Sequence, residues 1–143
     1  MIYVKDIMTR RVRTIDADAS VKEAARKMAR WGIGALVVTK SETKPVGIVT
    51  EGDISRSVAR GLDPGAPLTS LRTKKLVTVS PDERVEVAAK IMSDAGVKKL
   101  PVLERGKLVG IVTQSDIVGS SFSLVTSLKE MVQARYRPPD FEM

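Results

Sequence analysis

The chain writes one unit twice. Residues 9–38, TRRVRTIDADASVKEAARKMARWGIGALVV, align without a gap on residues 73–102, TKKLVTVSPDERVEVAAKIMSDAGVKKLPV, an offset of 64. Identical pairs include Thr14/Thr78, Asp18/Asp82, Val21/Val85, Ala24/Ala88, Ala25/Ala89, Met28/Met92, Gly32/Gly96 and Leu36/Leu100. One residue then drops out of a turn, and VGIVT at 46–50 meets VGIVT at 109–113 at an offset of 63. A duplication of this extent constrains the fold more than any other feature, because whatever one copy adopts the other adopts as well.

Each copy predicts strand, helix, strand, strand, helix. VRTI (12–15) and LVTV (76–79) are short β-branched runs. Ser20 opens a helix with Glu23 three residues on, a capping-box spelling. Val21, Ala24, Ala25 and Met28 then recur at helical spacing and form one apolar stripe. Gly32 stops the helix, since a residue without Cβ suits the left-handed C-cap. The second copy repeats this with Val85, Ala88, Ala89 and Met92, closing at Gly96. ALVV (35–38) and LPVL (100–103) follow as strands, SETKP (41–45) and ERGK (104–107) as hairpin turns, and PVGIVT and LVGIVT as return strands. The last helix starts at each Thr-x-x-Asp and ends near Gly61 in one copy and toward Gly119 in the other.

A unit of about 60 residues buries a marginal core alone. The expected architecture is therefore one α/β (α+β) domain: two β-α-β-β-α units packed sheet to sheet with pseudo-two-fold symmetry. The expected organisation is a first unit at 1–61, the Pro- and Gly-bearing linker LDPGAP at 62–67, a second unit at 68–121, and a C-terminal helix and tail at 122–143, where Leu124, Leu128 and Met131 form a further stripe.

Composition removes several functions. Cysteine and histidine are both absent, so there is no disulfide, no thiolate chemistry, and neither the commonest metal ligand nor the commonest general base. Only carboxylate, Lys or hydroxyl chemistry remains for an enzyme, and no acid pair stands at a spacing that argues for it, so no catalytic residue is expected. A net charge of +7 favours anionic partners. There is no apolar run of membrane-span length and no secretory signal pattern, so a cytoplasmic location is expected. Asn is absent and Gln occurs only at 114 and 133, a trait of proteins from hot environments.

The unit DIMTRRVRTIDADASVKEAARKMARWGIGALVVT…PVGIVTEGDI resembles a CBS domain, and the doubled unit resembles a CBS pair, or Bateman module, over about Val4 to Ile117. The resemblance implies a free-standing regulatory module that binds an adenosine-containing ligand (AMP, ADP, ATP or S-adenosylmethionine) in clefts between the two units. It also implies a homodimer of pairs shaped as a flat disc and a partner protein that reads the bound state. No cofactor is required beyond that adenine nucleotide, with or without Mg.

Ligand contacts implied by the resemblance fall first on the two Thr-x-x-Asp junctions, Thr50 with Asp53 and Thr113 with Asp116. Each pair also spells a helix cap, but Asp reaches back less well than the Glu or Gln of the usual box, and the carboxylates are therefore expected to serve a ribose, with phosphate at the helix start. The first strands, Thr14-Ile15 and Thr78-Val79, are implied to meet the adenine through backbone and an aliphatic side chain. The openings of the second strands differ: Gly34-Ala35 in one copy, Lys98-Lys99 in the other. Two unequal clefts follow, and a phosphate is expected in the lysine-bearing one, taken to go with GIVTQSDI rather than GIVTEGDI. Arg10-Arg11 and Lys74-Lys75, just before the first strands, either line the cleft mouths or keep the chain soluble, the second being favoured, and Trp31 is a packing or interface residue. The alternative is a nucleic-acid-binding protein using its basic surface, disfavoured by the 3% aromatic content and by basic runs no longer than two.

Overall fold

The computed structural model describes residues 1–71 and 75–120. The C-terminal stripe of Leu124, Leu128 and Met131, the tail around it, and Lys74 lie outside the described residues. In chain order the elements are α1 (Val4–Ile7), β1 (Thr14–Asp16), α2 (Val21–Trp31), β2 (Ala35–Lys40), β3 (Lys44–Thr50), α3 (Glu51–Ala59), a 3-10 turn (Leu68–Ser70), α4 (Val85–Ala95), β4 (Lys99–Glu104), β5 (Lys107–Thr113) and α5 (Gln114–Gly119).

The helices form where their stripes and caps predict. In α2 the buried residues are Val21, Ala24 and Met28, and in α4 they are Val85, Ala88 and Met92, the same face in both copies. The Ser20 side chain accepts from the Glu23 N–H at 3.0 Å, while Arg84, at the equivalent place before α4, offers no side-chain cap. Gly32 and Gly96 both take the left-handed conformation that ends the helix, with φ of 61° and 64°. The hairpins β2–β3 and β4–β5 are antiparallel and share a bulge at the same register, Val38/Thr39 and Val102/Leu103. The one-residue gap sits between them: the first turn carries Ser41 and Glu42 at positive φ, the second the tighter Arg105-Gly106 pair.

The two sheets differ in one respect that corrects the sequence reading. β1 pairs in parallel with β2, giving the first unit three strands, but 76–79 does not form a strand and contributes only a parallel bridge, Val79 to Val102. Pro101 is the cause. In the first unit the Val37 N–H donates to the Arg13 carbonyl at 3.1 Å. Its counterpart 64 residues on is Pro101, which has no N–H to give to Val77. The neighbouring bonds survive: Val79 N–H donates to the Pro101 carbonyl at 3.1 Å, and Leu103 N–H to the Val79 carbonyl at 3.0 Å.

Each unit has its own apolar core, and each core is completed by a segment that precedes the other unit in the chain. Leu68 and Leu71 are buried with Ile15, Met28, Leu36 and Val49 in the first core, while Val4 is buried with Val79, Met92, Leu100 and Val112 in the second. The hydrogen bonds obey the repeat. Leu68 N–H donates to the Ala19 carbonyl and Val21 N–H to Ala66, while Val4 N–H donates to the Glu83 carbonyl and Val85 N–H to Ile2. A buried leucine contributes about 1.5–3 kcal/mol, so the run after LDPGAP holds the first unit rather than merely joining two. The N-terminal strap continues over β5, where Thr9 and Ile111 exchange both backbone bonds at 2.9 Å. It passes so close to Gly110 that a Cβ there would stand 3.0 Å from the Thr9 carbonyl oxygen and 2.6 Å from Met8 Sδ. β3 and β5 are in contact where the units join.

Candidate functional site

The strand-to-helix junctions are built alike. Thr50 ends β3 with extended backbone and becomes the N-cap of α3, its Oγ1 accepting from the Asp53 N–H at 3.3 Å. The Thr50 N–H donates back to Asp53 Oδ2 at 2.8 Å, and its hydroxyl donates to the same oxygen at 3.0 Å. Thr113 and Asp116 do the same at the start of α5: the Thr113 N–H donates to Asp116 Oδ2 at 2.8 Å and the Asp116 N–H to Thr113 Oγ1 at 3.1 Å. Both aspartates therefore close full capping boxes, against the expectation that Asp reaches back poorly. The extended backbone at the threonine brings the third residue's short carboxylate directly under the cap N–H. What each carboxylate keeps for other partners is Oδ1. On Asp53 that oxygen accepts from Arg56 Nη2 at 2.7 Å, while on Asp116 it has no partner among the described residues.

The first junction opens onto a cleft of about 680 Å³ between the units. From the first unit it is lined by Gly34, Ile48, Thr50, Glu51, Gly52, Asp53 and Arg56, and from the second by Gly96, Val97, Lys98 and Lys99. Five of the residues singled out from the sequence thus share one cleft: Gly34, Thr50, Asp53, Lys98 and Lys99. Both lysines line the cleft that holds Thr50 and Asp53 of GIVTEGDI, where the expectation set them with GIVTQSDI, and Lys98 also lines the groove beside Gln114. Lys99 also lies opposite Thr113 in the β4–β5 ladder, as Ala35 lies opposite Thr50 in β2–β3.

The remaining predicted residues lie elsewhere. Thr14 and Thr78 are half-buried and do not line this cleft. Ile15 and Val79 are buried in the two cores, so in these segments a ligand is left the backbone and the half-buried Thr14 and Thr78. Asp116 and Thr113 belong to the second junction. A groove of about 470 Å³ near it runs between α4 and α5, lined by Ala89, Met92, Ser93, Gly96, Val97, Lys98, Gln114, Ile117 and Val118. Trp31 packs on the first core with the Arg13 guanidinium 4.4 Å from its ring centre. Arg10, Arg11 and Lys75 are exposed.

Sequence reasoning missed Glu51, Gly52, Arg56, Ile48 and Val97. A signal for Arg56 was present: it stands one helical turn beyond Asp53, on the same face. Charges in the cleft are mixed, Arg56, Lys98 and Lys99 against Glu51 and Asp53. Of the first-turn N–H groups of α3, Glu51 donates to the Gly34 carbonyl at 3.1 Å and Asp53 to Thr50 Oγ1, which leaves the N–H of Gly52, a cleft-lining residue, without a partner among the described residues. Such a donor, backed by a helix dipole and flanked by lysines, accommodates an anion. Ile48 and Val97 supply apolar surface beside it. Among the described residues no three His, Cys, Asp or Glu side chains gather as a metal site, and no helix is long and apolar enough to cross a membrane.

A family model described as CBS domain matches twice, at residues 4–60 and 68–123. A homoserine O-acetyltransferase of Methanohalobium evestigatum is 40% identical over 116 residues, or 80% of this chain, but the chain spans only 23% of that enzyme. Among solved structures, the CBS domain pair of protein MJ0100 in complex with 5'-methylthioadenosine and S-adenosyl-L-methionine has a TM-score of 0.76 and 30% identity, covering 83% of this chain and 98% of that one. The CBS domain protein PAE2072 from Pyrobaculum aerophilum, complexed with AMP, has a TM-score of 0.77 and 26% identity, covering 90% and 99%.

Proposed function

The chain belongs to the CBS-domain family, as two such units in tandem, and from that premise we propose that it is a regulatory module that binds an adenosine-containing ligand in the cleft between its units. The observation that carries this is the meeting of Thr50, Asp53 and the open Gly52 N–H of one unit with Lys98 and Lys99 of the other. A phosphate would sit at the start of α3, against the Gly52 N–H and the two ammonium groups. The ribose hydroxyls would donate to Asp53, and the purine would lie over Ile48 and Val97. Two relatives of similar fold are described with AMP or with S-adenosylmethionine and methylthioadenosine, which supports the same ligand class here.

A ligand held by groups from both units stabilises one arrangement of the pair, and a partner protein that binds this arrangement better reads out ligand concentration. On this reading the module acts by binding. Any Mg would ride on the ligand's phosphates. Self-association of the pair belongs to the same reading, with light scattering as its check. The ligand itself is tested by isothermal titration of the full chain with AMP, ADP, ATP and S-adenosylmethionine. Saturable binding well below millimolar is expected. Affinities no tighter than that, about −4 kcal/mol, would overturn the proposal.

A further inference from the structure

Arg56 belongs to the first copy alone. The equivalent residue 63 positions on is Gly119, and Gly52 corresponds to Ser115. The two differences act together. Arg56 folds back over the start of α3 to reach Asp53 Oδ1 at 2.7 Å. A Cβ on residue 52 would stand 3.1 Å from its Nη1 and 3.5 Å from its Nη2, so glycine gives the guanidinium its resting place. That place is beside the Gly52 N–H, where an anion would land. The Arg56 side chain is 67% exposed and held by this one ion pair, whereas that of Asp53 is 13% exposed and fixed by the cap. The arginine is the partner free to move.

Resting on the adenosine reading of the cleft, we propose that Arg56 makes this cleft select phosphorylated adenosine ligands over those without a phosphate. With no phosphate present, the guanidinium stays on Oδ1, the carboxylate oxygen the cap leaves over, and weakens its attraction for the ribose hydroxyls. A phosphate draws the guanidinium away by offering a doubly charged, bidentate acceptor a short swing distant, and Asp53 is released to the ribose. Neutral adenosine has nothing to draw it with. The sulfonium of S-adenosylmethionine adds a positive charge to a cleft that already holds Arg56, Lys98 and Lys99. Loss of Arg56 should therefore weaken AMP while adenosine holds or improves, a split that a purely structural residue would not produce.

The test is calorimetric titration of the full chain and its Arg56→Ala variant with AMP and with adenosine, each protein checked by thermal melting. In Arg56→Ala the preference for AMP over adenosine should fall about tenfold, AMP weakening while adenosine holds or improves. Arg56→Lys should restore part of it. Gly52→Ser, the second copy's residue, keeps the Arg56 charge but crowds its resting place, and should improve adenosine binding. An AMP preference unchanged within twofold in Arg56→Ala, with AMP still bound by the parent chain, overturns the role of Arg56 and leaves the adenosine reading standing. A parent chain that binds neither ligand overturns both.

Discussion

Asp53 and Thr50 hold each other from both ends: the Thr50 N–H donates to Asp53 Oδ2 at 2.8 Å, and the Asp53 N–H donates to Thr50 Oγ1 at 3.3 Å. One carboxylate thus starts a helix through one oxygen and faces the cleft through the other.

Asparagine can keep the first task and lose the second. Asp53→Asn retains an oxygen for the Thr50 N–H but discards the charge and the Arg56 pair. It should cost less than about 1 kcal/mol in denaturant unfolding while weakening nucleotide binding about tenfold in calorimetry. Asp53→Ala should cost both, with about 1 kcal/mol lost from the cap. An Asn variant that binds normally would leave Asp53 with the cap alone.

The lysines supply charge rather than shape. Lys98→Ala and Lys99→Ala should weaken ADP more than AMP and leave adenosine almost unchanged, the loss being about 0.5–1 kcal/mol each for an exposed Lys98 and a half-buried Lys99. The same difference should shrink as salt rises from low to 0.5 M. Equal losses for all three ligands would point to a folding defect instead.

Two glycines at equivalent positions should respond oppositely to alanine. At Gly110 a methyl would press on the Thr9 carbonyl at 3.0 Å, which is backbone and tied to Ile111, so Gly110→Ala should destabilise by about 1–3 kcal/mol. At Gly47 the nearest atom is Val38 Cβ at 4.0 Å, and Gly47→Ala should be close to neutral. Urea unfolding of both variants checks the contrast.

The exchanged segments make a further prediction. Val4→Ala removes volume from the second core and should cost about 1–3 kcal/mol, while Leu68→Ala should cost about 2–5 kcal/mol from the first. By native-state hydrogen exchange, Val4→Ala should lower protection first in β4 and β5, and Leu68→Ala first in β2 and β3. Loss in the unit adjacent in sequence would contradict the packing.

Local chemistry carried most of the fold into the sequence. The stripes of α2 and α4, the glycines that end them and the turn that absorbs the one-residue gap are all near-neighbour effects, readable at three or four residues' range. What could not be read was whatever depended on a distant partner. LVTV at 76–79 has the residues of a strand, but its ladder is cut by Pro101, more than twenty positions away. Lys98 and Lys99 share a hairpin with Thr113, yet both line the cleft that holds Thr50 and Asp53 of the other unit. Leu68 and Val4 show no sign in the sequence of which core they fill.

That exchange of leading segments has a meaning for descent. A chain carrying one repeat would have a core lacking its last side chain and a strap with nothing of its own to cover. Two such chains would complete each other across a symmetry axis. Joined end to end they give the arrangement seen here, so the duplicated molecule has the geometry of a homodimer made covalent. Fusion freed its two halves to diverge, and Gly52 with Arg56 on one side and Ser115 with Gly119 on the other are where they did.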